Sequence, residues 1–128
     1  MHALNIVRLL VRDYIVGGAL TPLLPECMRL AVAGFTSPWW AIRNSSTMLC
    51  AACIDRGIGA AARNHAHIAT GLSADVFWSR FPSLHGFLLL QLRECAAYAL
   101  AHDGHTHPSL QPPLVLLSRL QHPLNFIR

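Results

Sequence analysis

Three groups of side chains have the types and spacing to do chemistry. The first is Arg43-Asn44-Ser45-Ser46-Thr47, where a guanidinium and an amide precede three consecutive hydroxyls. A planar guanidinium grips phosphate or carboxylate bidentately, so Arg43 and Asn44 are candidates for contact with a ligand or partner. The second is Cys50-Ala51-Ala52-Cys53, whose spacing suits half a zinc site or a redox pair. No second Cys pair and no paired His follows at a finger-like distance, which leaves two reduced thiols buried on a helix as the reading. The third is His102-Asp103-Gly104-His105-Thr106-His107, with His65-Ala66-His67 as a lesser cluster. Histidine and aspartate can ligate zinc, yet Asp-Gly followed by His-Pro is turn chemistry first, and a turn alone gives a metal no fixed scaffold.

Other catalytic arrangements are missing from the sequence. It has no Gly-x-Ser-x-Gly elbow, no Gly-rich strand-to-helix turn and no pair of carboxylates spaced for one helix face. A non-enzyme without cofactor or metal is therefore expected. All ten basic residues are arginines spread from Arg8 to Arg128, and the net charge of +4 permits a nucleic-acid partner without concentrating the basic face that would demand one. The longest uncharged stretch, Gly104 to Ser118, holds three prolines and is too short to span a bilayer. Arg8 and Arg12 interrupt the N-terminal apolar run, so no signal peptide is expected. Membrane insertion is not expected either, and reduced cysteines fit a cytosolic setting.

The elements that must position these residues are helices. Leu4, Val7, Leu10, Val11 and Tyr14 follow helical spacing with Asn5, Arg8 and Arg12 opposite, predicting a helix over 2–15 that ends at Gly17-Gly18. A second is expected over 22–33, stopping at Gly34. A third, over 38–56, starts at Ser37-Pro38, a cap followed by a proline suited to the first helical position. Residues 60–73 have no clear period and read as a loop. A short helix near 75–80, a long one over 82–102 and a last one over 110–121 follow, with Pro112-Pro113 placed in the first turn of the last or breaking it. Leu84, Phe87, Leu88, Leu89, Leu90, Leu92 and Tyr98 cover nearly the whole circumference of the long helix, as burial on two sides would require.

No segment alternates convincingly like a strand. The expected fold is all-α, an armadillo or HEAT-like solenoid segment of stacked antiparallel helices, because helix pairs with Gly/Pro corners recur at about 40 residues. The expected organisation is one segment, 1–128, with three helices in 1–59, a loop at 60–73 and the remaining helices in 74–128. With 53% hydrophobic and 12% charged residues, and with apparent helix and apolar sequence at its two ends, the chain reads as a piece of something larger.

On a helical wheel, Trp39, Ile42, Ser46, Leu49, Cys50 and Cys53 form one stripe of the third helix, and Asn44 points nearly opposite. The run Asn44 to Thr47 costs on the order of 2 kcal/mol in helix propensity, so packing or binding must offset it. Small Ser46 would admit a neighbouring helix closely. Arg43, at the stripe's margin, could pair with Asp13, Glu26 or Asp55.

The ordered strings His2-Ala3-Leu4-Asn5-Ile6-Val7-Arg8, Arg12-Asp13, Gly34-Phe35-Thr36-Ser37-Pro38 and Trp40-Ala41-Ile42-Arg43-Asn44-Ser45-Ser46-Thr47 resemble the thyroid adenoma-associated protein (THADA) family. Ser79-Arg80-Phe81-Pro82, Phe87-Leu88-Leu89, Gln91-Leu92 and His107-Pro108-Ser109 extend the resemblance over about 1–120. It implies a segment of a very large cytosolic α-solenoid that acts as the non-catalytic regulatory subunit of a tRNA 2′-O-methyltransferase modifying nucleotide 32 of the anticodon loop. The partner catalytic subunit would supply S-adenosylmethionine binding and catalysis, and the solenoid would position the tRNA; no DNA partner is implied. Arg8, Arg12, Arg43, Asn44 and Arg56 become candidates for RNA or partner contact, since most stand in or beside the matching strings. Ala60-Ala61-Ala62-Arg63-Asn64-His65-Ala66-His67 replaces the family's basic, polar linker, Pro112-Pro113 interrupts a helix that is continuous in the family, and the family's best-known Arg- and Gly-containing motif has no counterpart in this chain. A general protein-interaction scaffold without an RNA role is the competing reading.

Overall fold

A computed structural model describes residues 1–63 and 72–121. The elements in order are α1 (His2–Arg12), α2 (Val16–Ala19), a 3-10 turn (Thr21–Leu23), α3 (Leu24–Gly34), α4 (Trp40–Arg63), β1 (Leu72–Ser73), α5 (Ala74–Arg80), α6 (Pro82–Ala101), a 3-10 turn (Pro108–Leu110), α7 (Gln111–Arg119) and β2 (Leu120–Gln121). The architecture is an all-α helical repeat, joined by one two-residue parallel pairing of Leu72 with Leu120 and Ser73 with Gln121.

Side-chain contacts fix the helix directions. Arg8 meets Met48 and, further along both helices, Val11 meets Arg56, so α1 runs parallel to α4. Met28 lies against Cys50 and Gly34 against Ser46, so α3 runs antiparallel to α4. Pro112 and Val115 share a small cavity with Thr47, Cys50 and Ile54, and Arg119 then reaches Asp55, which makes α7 parallel to α4 as well. Thus α1, α4 and α7 form one layer of parallel helices. In the other layer α3 and α6 are tied by Arg29, which donates to the Ser83 carbonyl at 3.3 Å and lies over the Phe87 ring at 5.3 Å. The core between them comprises Val11, Leu24, Met28, Leu49, Cys53, Phe77, Leu84, Leu88 and Leu116.

Several helix ends depart from the expected ones for local reasons. α1 stops at Arg12 instead of running to 15, because the Asp13 carboxylate accepts from the Ile15 and Val16 N–H groups at 2.9 and 2.8 Å and starts α2. α4 continues to Arg63, past the start of the loop expected at 60, where Ala60-Ala61-Ala62 supplies high helix propensity. Leu72 and Ser73 are paired as β1, and the rest of that expected loop, 64–71, lies outside the described residues. Pro112 and Pro113 sit buried in the first turn of α7, where missing N–H donors cost nothing. α6 is not covered on two sides in the described structure: it buries Leu84, Leu88 and Cys95 but leaves Leu89, Leu90 and Leu100 exposed.

The stripe on α4 is buried at Ser46, Leu49, Cys50 and Cys53, whereas Trp39 is 70% exposed. Trp39 precedes the first turn of α4, where the chain is still leaving the Ser37-Pro38 corner. Gly34 and Ser46 are the closest approach of α3 to α4: a Cβ on Gly34 would fall 1.9 Å from Ser46 Oγ and 2.9 Å from its Cβ. Ser46 Oγ is buried without a hydrogen-bond partner among the described residues, so the hydroxyl is tolerated because its small side chain fits. No described helix is long and apolar enough to cross a membrane.

Gly34→Ala should cost about 1–3 kcal/mol in denaturant unfolding, and Ser46→Gly in the same chain should recover part of the loss. Ser46→Ala, by contrast, should be neutral or stabilising. A second expectation concerns pH. Burial raises the Cys50 thiol from 9.0 to about 12 and also pushes Cys53 up. Both thiols stay protonated in the folded chain while unfolded thiols ionise, so their contribution is intact below pH 9 and fades from there toward 12. Stability curves measured over that window should fall less steeply in a Cys50→Ala, Cys53→Ala variant.

Candidate functional site

Four of the five candidate contact residues, Arg8, Arg12, Asn44 and Arg56, converge on the groove between α1 and α4. The parallel seating of the two helices is what brings them together. Arg8 and Arg12 are one turn apart on α1. Asn44, Met48, Ala51 and Asp55 follow the exposed face of α4 at helical spacing.

Arg56 has a structural task within this groove. Its Nε donates to the Val11 carbonyl at 2.8 Å and its Nη2 to the Asp13 carbonyl at 2.6 Å. These oxygens lie at the C-terminal end of α1, where intrahelical donors run out, so a cation from α4 completes the helix and complements its dipole. Gly17 makes room for it, since a Cβ there would fall 2.4 Å from Arg56 Nη2. Beside it, Val11, Arg12, Ala52, Asp55, Arg56 and Gly59 line an open cleft of about 530 Å³.

Arg8 and Asn44 are partnered only weakly. Arg8 Nη1 lies 3.5 Å from Met48 Sδ and Asn44 Nδ2 lies 3.8 Å from the same sulfur, a poor acceptor for either donor. Arg8 Nε is buried with no partner among the described residues. Arg12 is exposed and makes no hydrogen bond or ion pair among them. The nearest carboxylate on the α4 face, Asp55, is engaged by Arg119 from α7. Two guanidiniums and an amide therefore face the groove with their strong donor capacity unspent, which is the chemistry that holds an anion.

Arg43 stands apart. Its Nη1 donates to the Ser37 and Pro38 carbonyls at 2.7 and 3.0 Å, not to Asp13, Glu26 or Asp55 as expected from sequence. Those carbonyls belong to the corner that leads into α4 and are far closer along the chain than any carboxylate. Sequence reasoning passed over Met48, which joins Arg8 to Asn44, and Trp40, which is 70% exposed four residues before Asn44. The signal for both was the four-residue spacing Trp40, Asn44, Met48.

The other chemistry-bearing groups are absorbed in packing or turns. Cys50 Sγ donates to Met28 Sδ at 3.5 Å in the core. His102 stacks on Tyr98 at 3.9 Å and contacts its carbonyl, while His107 Nδ1 accepts from the Ser109 N–H at 3.2 Å as a helix cap. Asp103 and Gly104 both adopt positive φ, 52° and 81°, as the turn chemistry of Asp-Gly requires. Among the described residues no three His, Cys, Asp or Glu side chains are grouped to hold a metal ion. His65 and His67 lie outside them.

Comparison with known proteins adds a family. The family model for Trm732, C-terminal TPR repeats, matches residues 43–126. The chain is similar to the tRNA (32-2′-O)-methyltransferase regulator THADA of Homo sapiens, at 42% identity over 123 residues, covering 94% of this chain and 6% of that protein. It is 41% identical over 123 residues to the regulator of the same name from Gallus gallus, with the same coverage. The regulator trm732 of Schizosaccharomyces pombe is 32% identical over 125 residues, covering 95% of this chain and 8% of the yeast protein. The chain thus spans less than a tenth of the length of these curated relatives. No solved structure gives a significant match.

Arg56→Ala should lower unfolding stability by about 2 kcal/mol, because two carbonyls at the end of α1 lose a charged donor. Arg56→Lys should restore only part of it, since an ammonium cannot reproduce the two-pronged geometry. Chemical denaturation of the two variants beside the parent chain measures this.

Proposed function

The chain belongs to the THADA/Trm732 family, and from that premise we propose that it is a segment of a non-catalytic regulatory subunit for 2′-O-methylation of nucleotide 32 in the tRNA anticodon loop. The methyl transfer itself would be carried out by a partner tRNA 2′-O-methyltransferase in the cytosol, with tRNA and not DNA as the nucleic acid. The observation that carries the reading is the family match across residues 43–126 together with relatives named as regulators of that reaction.

The groove between α1 and α4 supports a division of labour among the candidates. Arg8, Arg12 and Asn44 are the groups offered to RNA phosphate or to the partner enzyme, and Arg56 and Arg43 hold the helices that present them. A layer of parallel helices gives a broad face suited to a structured RNA, which is recognised largely through shape and phosphate. The whole of residues 1–128 then acts as one helical-repeat segment.

In the full-length protein, Arg8→Ala with Arg12→Ala should weaken tRNA binding and lower methylation at nucleotide 32 by the partner. The salt slope of binding should fall by ~0.7–0.9 for each phosphate that the variant no longer neutralises. Arg43→Ala should instead act through stability. Unchanged binding, slope and methylation in the double variant would remove the groove from the function. Co-purification of other proteins with neither tRNA nor a methyltransferase would favour a general scaffold.

A further inference from the structure

The exposed face of α4 carries a feature that phosphate binding leaves unexplained. Trp40, Asn44 and Met48 recur every four residues and form one row along the helix, their Cβ atoms roughly 5–6 Å from one to the next. Trp40 is 70% exposed and Met48 41%. An indole this open gains nothing from the fold. It stands at the start of a 24-residue helix, on the corner that Arg43 pins through the Ser37 and Pro38 carbonyls, so its backbone is held while its ring is free.

Beside that row stands the charge. Arg8 from α1 reaches Met48, Asn44 reaches the same sulfur from within the row, and Arg12 follows one turn further along α1. The sequence of groups along the strip is thus a flat aromatic ring, an amide, and then two guanidiniums without strong acceptors. A duplex offers its phosphates to arginines but keeps its base faces stacked away from a tryptophan. An unpaired nucleotide offers both, a base face to the indole and a phosphate to the guanidiniums. Asn44, with a donor and an acceptor on one amide, can both give to and accept from the edge of a base such as adenine, whereas a guanidinium can only donate.

We infer that Trp40, Asn44, Arg8 and Arg12 form a site for an unpaired stretch of RNA, in which one base stacks on the Trp40 indole while phosphates further along the same strand take the donors of Arg8, beside Met48, and then of Arg12, beside Asp55. The inference rests on the regulatory reading for its choice of RNA and adds a mode of recognition to it, stacking of a splayed base in place of shape alone. A partner helix laid on the same strip is the competing occupant. The charge argues against it: Arg8 and Arg12 would be buried beside apolar side chains with Asp55 already engaged by Arg119.

The test uses the full-length protein with a labelled eight-nucleotide oligoadenylate and a duplex of the same length as probes. The single strand should bind more tightly than the duplex and quench tryptophan emission. Trp40→Ala should weaken single-strand binding roughly tenfold and leave the duplex nearly unchanged, while Trp40→Phe should retain much of the affinity. Arg8→Ala should lower the salt slope by ~0.7 on the single strand. Because Trp40 is mostly exposed, its replacement should not disturb folding, and circular dichroism and unfolding curves check this. Equal affinity for single strand and duplex, or a Trp40→Ala protein that binds oligoadenylate normally, would overturn the site. So would a Trp40 ring already shielded from quenching in the full-length protein, which would mark a protein contact. Methylation of nucleotide 32 with and without the wild-type protein tests the regulatory reading separately, and that reading can fail or stand whatever the oligonucleotides do.

Discussion

The seating of α1 alongside α4 is the constraint on which the rest of the arrangement depends. It is held by the Arg56 guanidinium, which reaches out of α4 to the last carbonyls of α1 and needs Gly17 to clear its path. A helix end that borrows its cap from a neighbour cannot slide along that neighbour without losing the cap. Arg8 is thereby set opposite Met48 and Arg12 opposite the cleft beside Asp55. On its other faces α4 is fixed by the Gly34–Ser46 approach and by Arg119 on Asp55, so it touches α7 in its own layer and α3 in the other.

Charge and packing divide the arginines into two kinds. Arg29, Arg43, Arg56 and Arg119 each have a carbonyl, carboxylate or aromatic partner inside the chain. Among the described residues Arg8, Arg12, Arg80 and Arg93 do not, apart from the Arg8 approach to a thioether, and of these Arg8 and Arg12 stand on α1. The Arg119–Asp55 and Arg29–Glu26 pairs are exposed and each worth at most about 1 kcal/mol, so their value lies in orientation more than in stability. Neutralising Asp55 in this way leaves the face of α1 and α4 more positive than the even spread of arginines along the sequence would indicate.

Much of the fold was legible because local rules and tertiary packing agree in it. Pro82 and Pro112-Pro113 mark helix starts, Gly34 ends α3, and the wheel of α4 places Ser46, Leu49, Cys50 and Cys53 inside and Asn44 outside. Where two local rules compete, the pattern is a poorer guide. Tyr14 continues the apolar period of α1, but Asp13 caps a new turn instead, and Trp39 continues the stripe of α4 from a residue that is not yet helical. The candidate site was legible only as types of residue. That Arg8 and Asn44 share one sulfur, forty and four residues away from it, follows from the parallel packing of two helices with α2 and α3 between them in sequence, and no local spacing records that. Arg43 does not find a carboxylate for the same reason, since the carbonyls it takes become available only once the Ser37-Pro38 corner has formed.

In the proposed function the face built by α1 and α4 meets RNA. Ultraviolet crosslinking of the full-length protein to tRNA, followed by mass-spectrometric mapping of the nucleotide-bearing peptides, tests it most directly. Adducts concentrated in residues 1–12 and 40–56, with Trp40 and Met48 among the modified positions, are the predicted result. Robust crosslinking elsewhere in the protein with these two segments unmodified would contradict it.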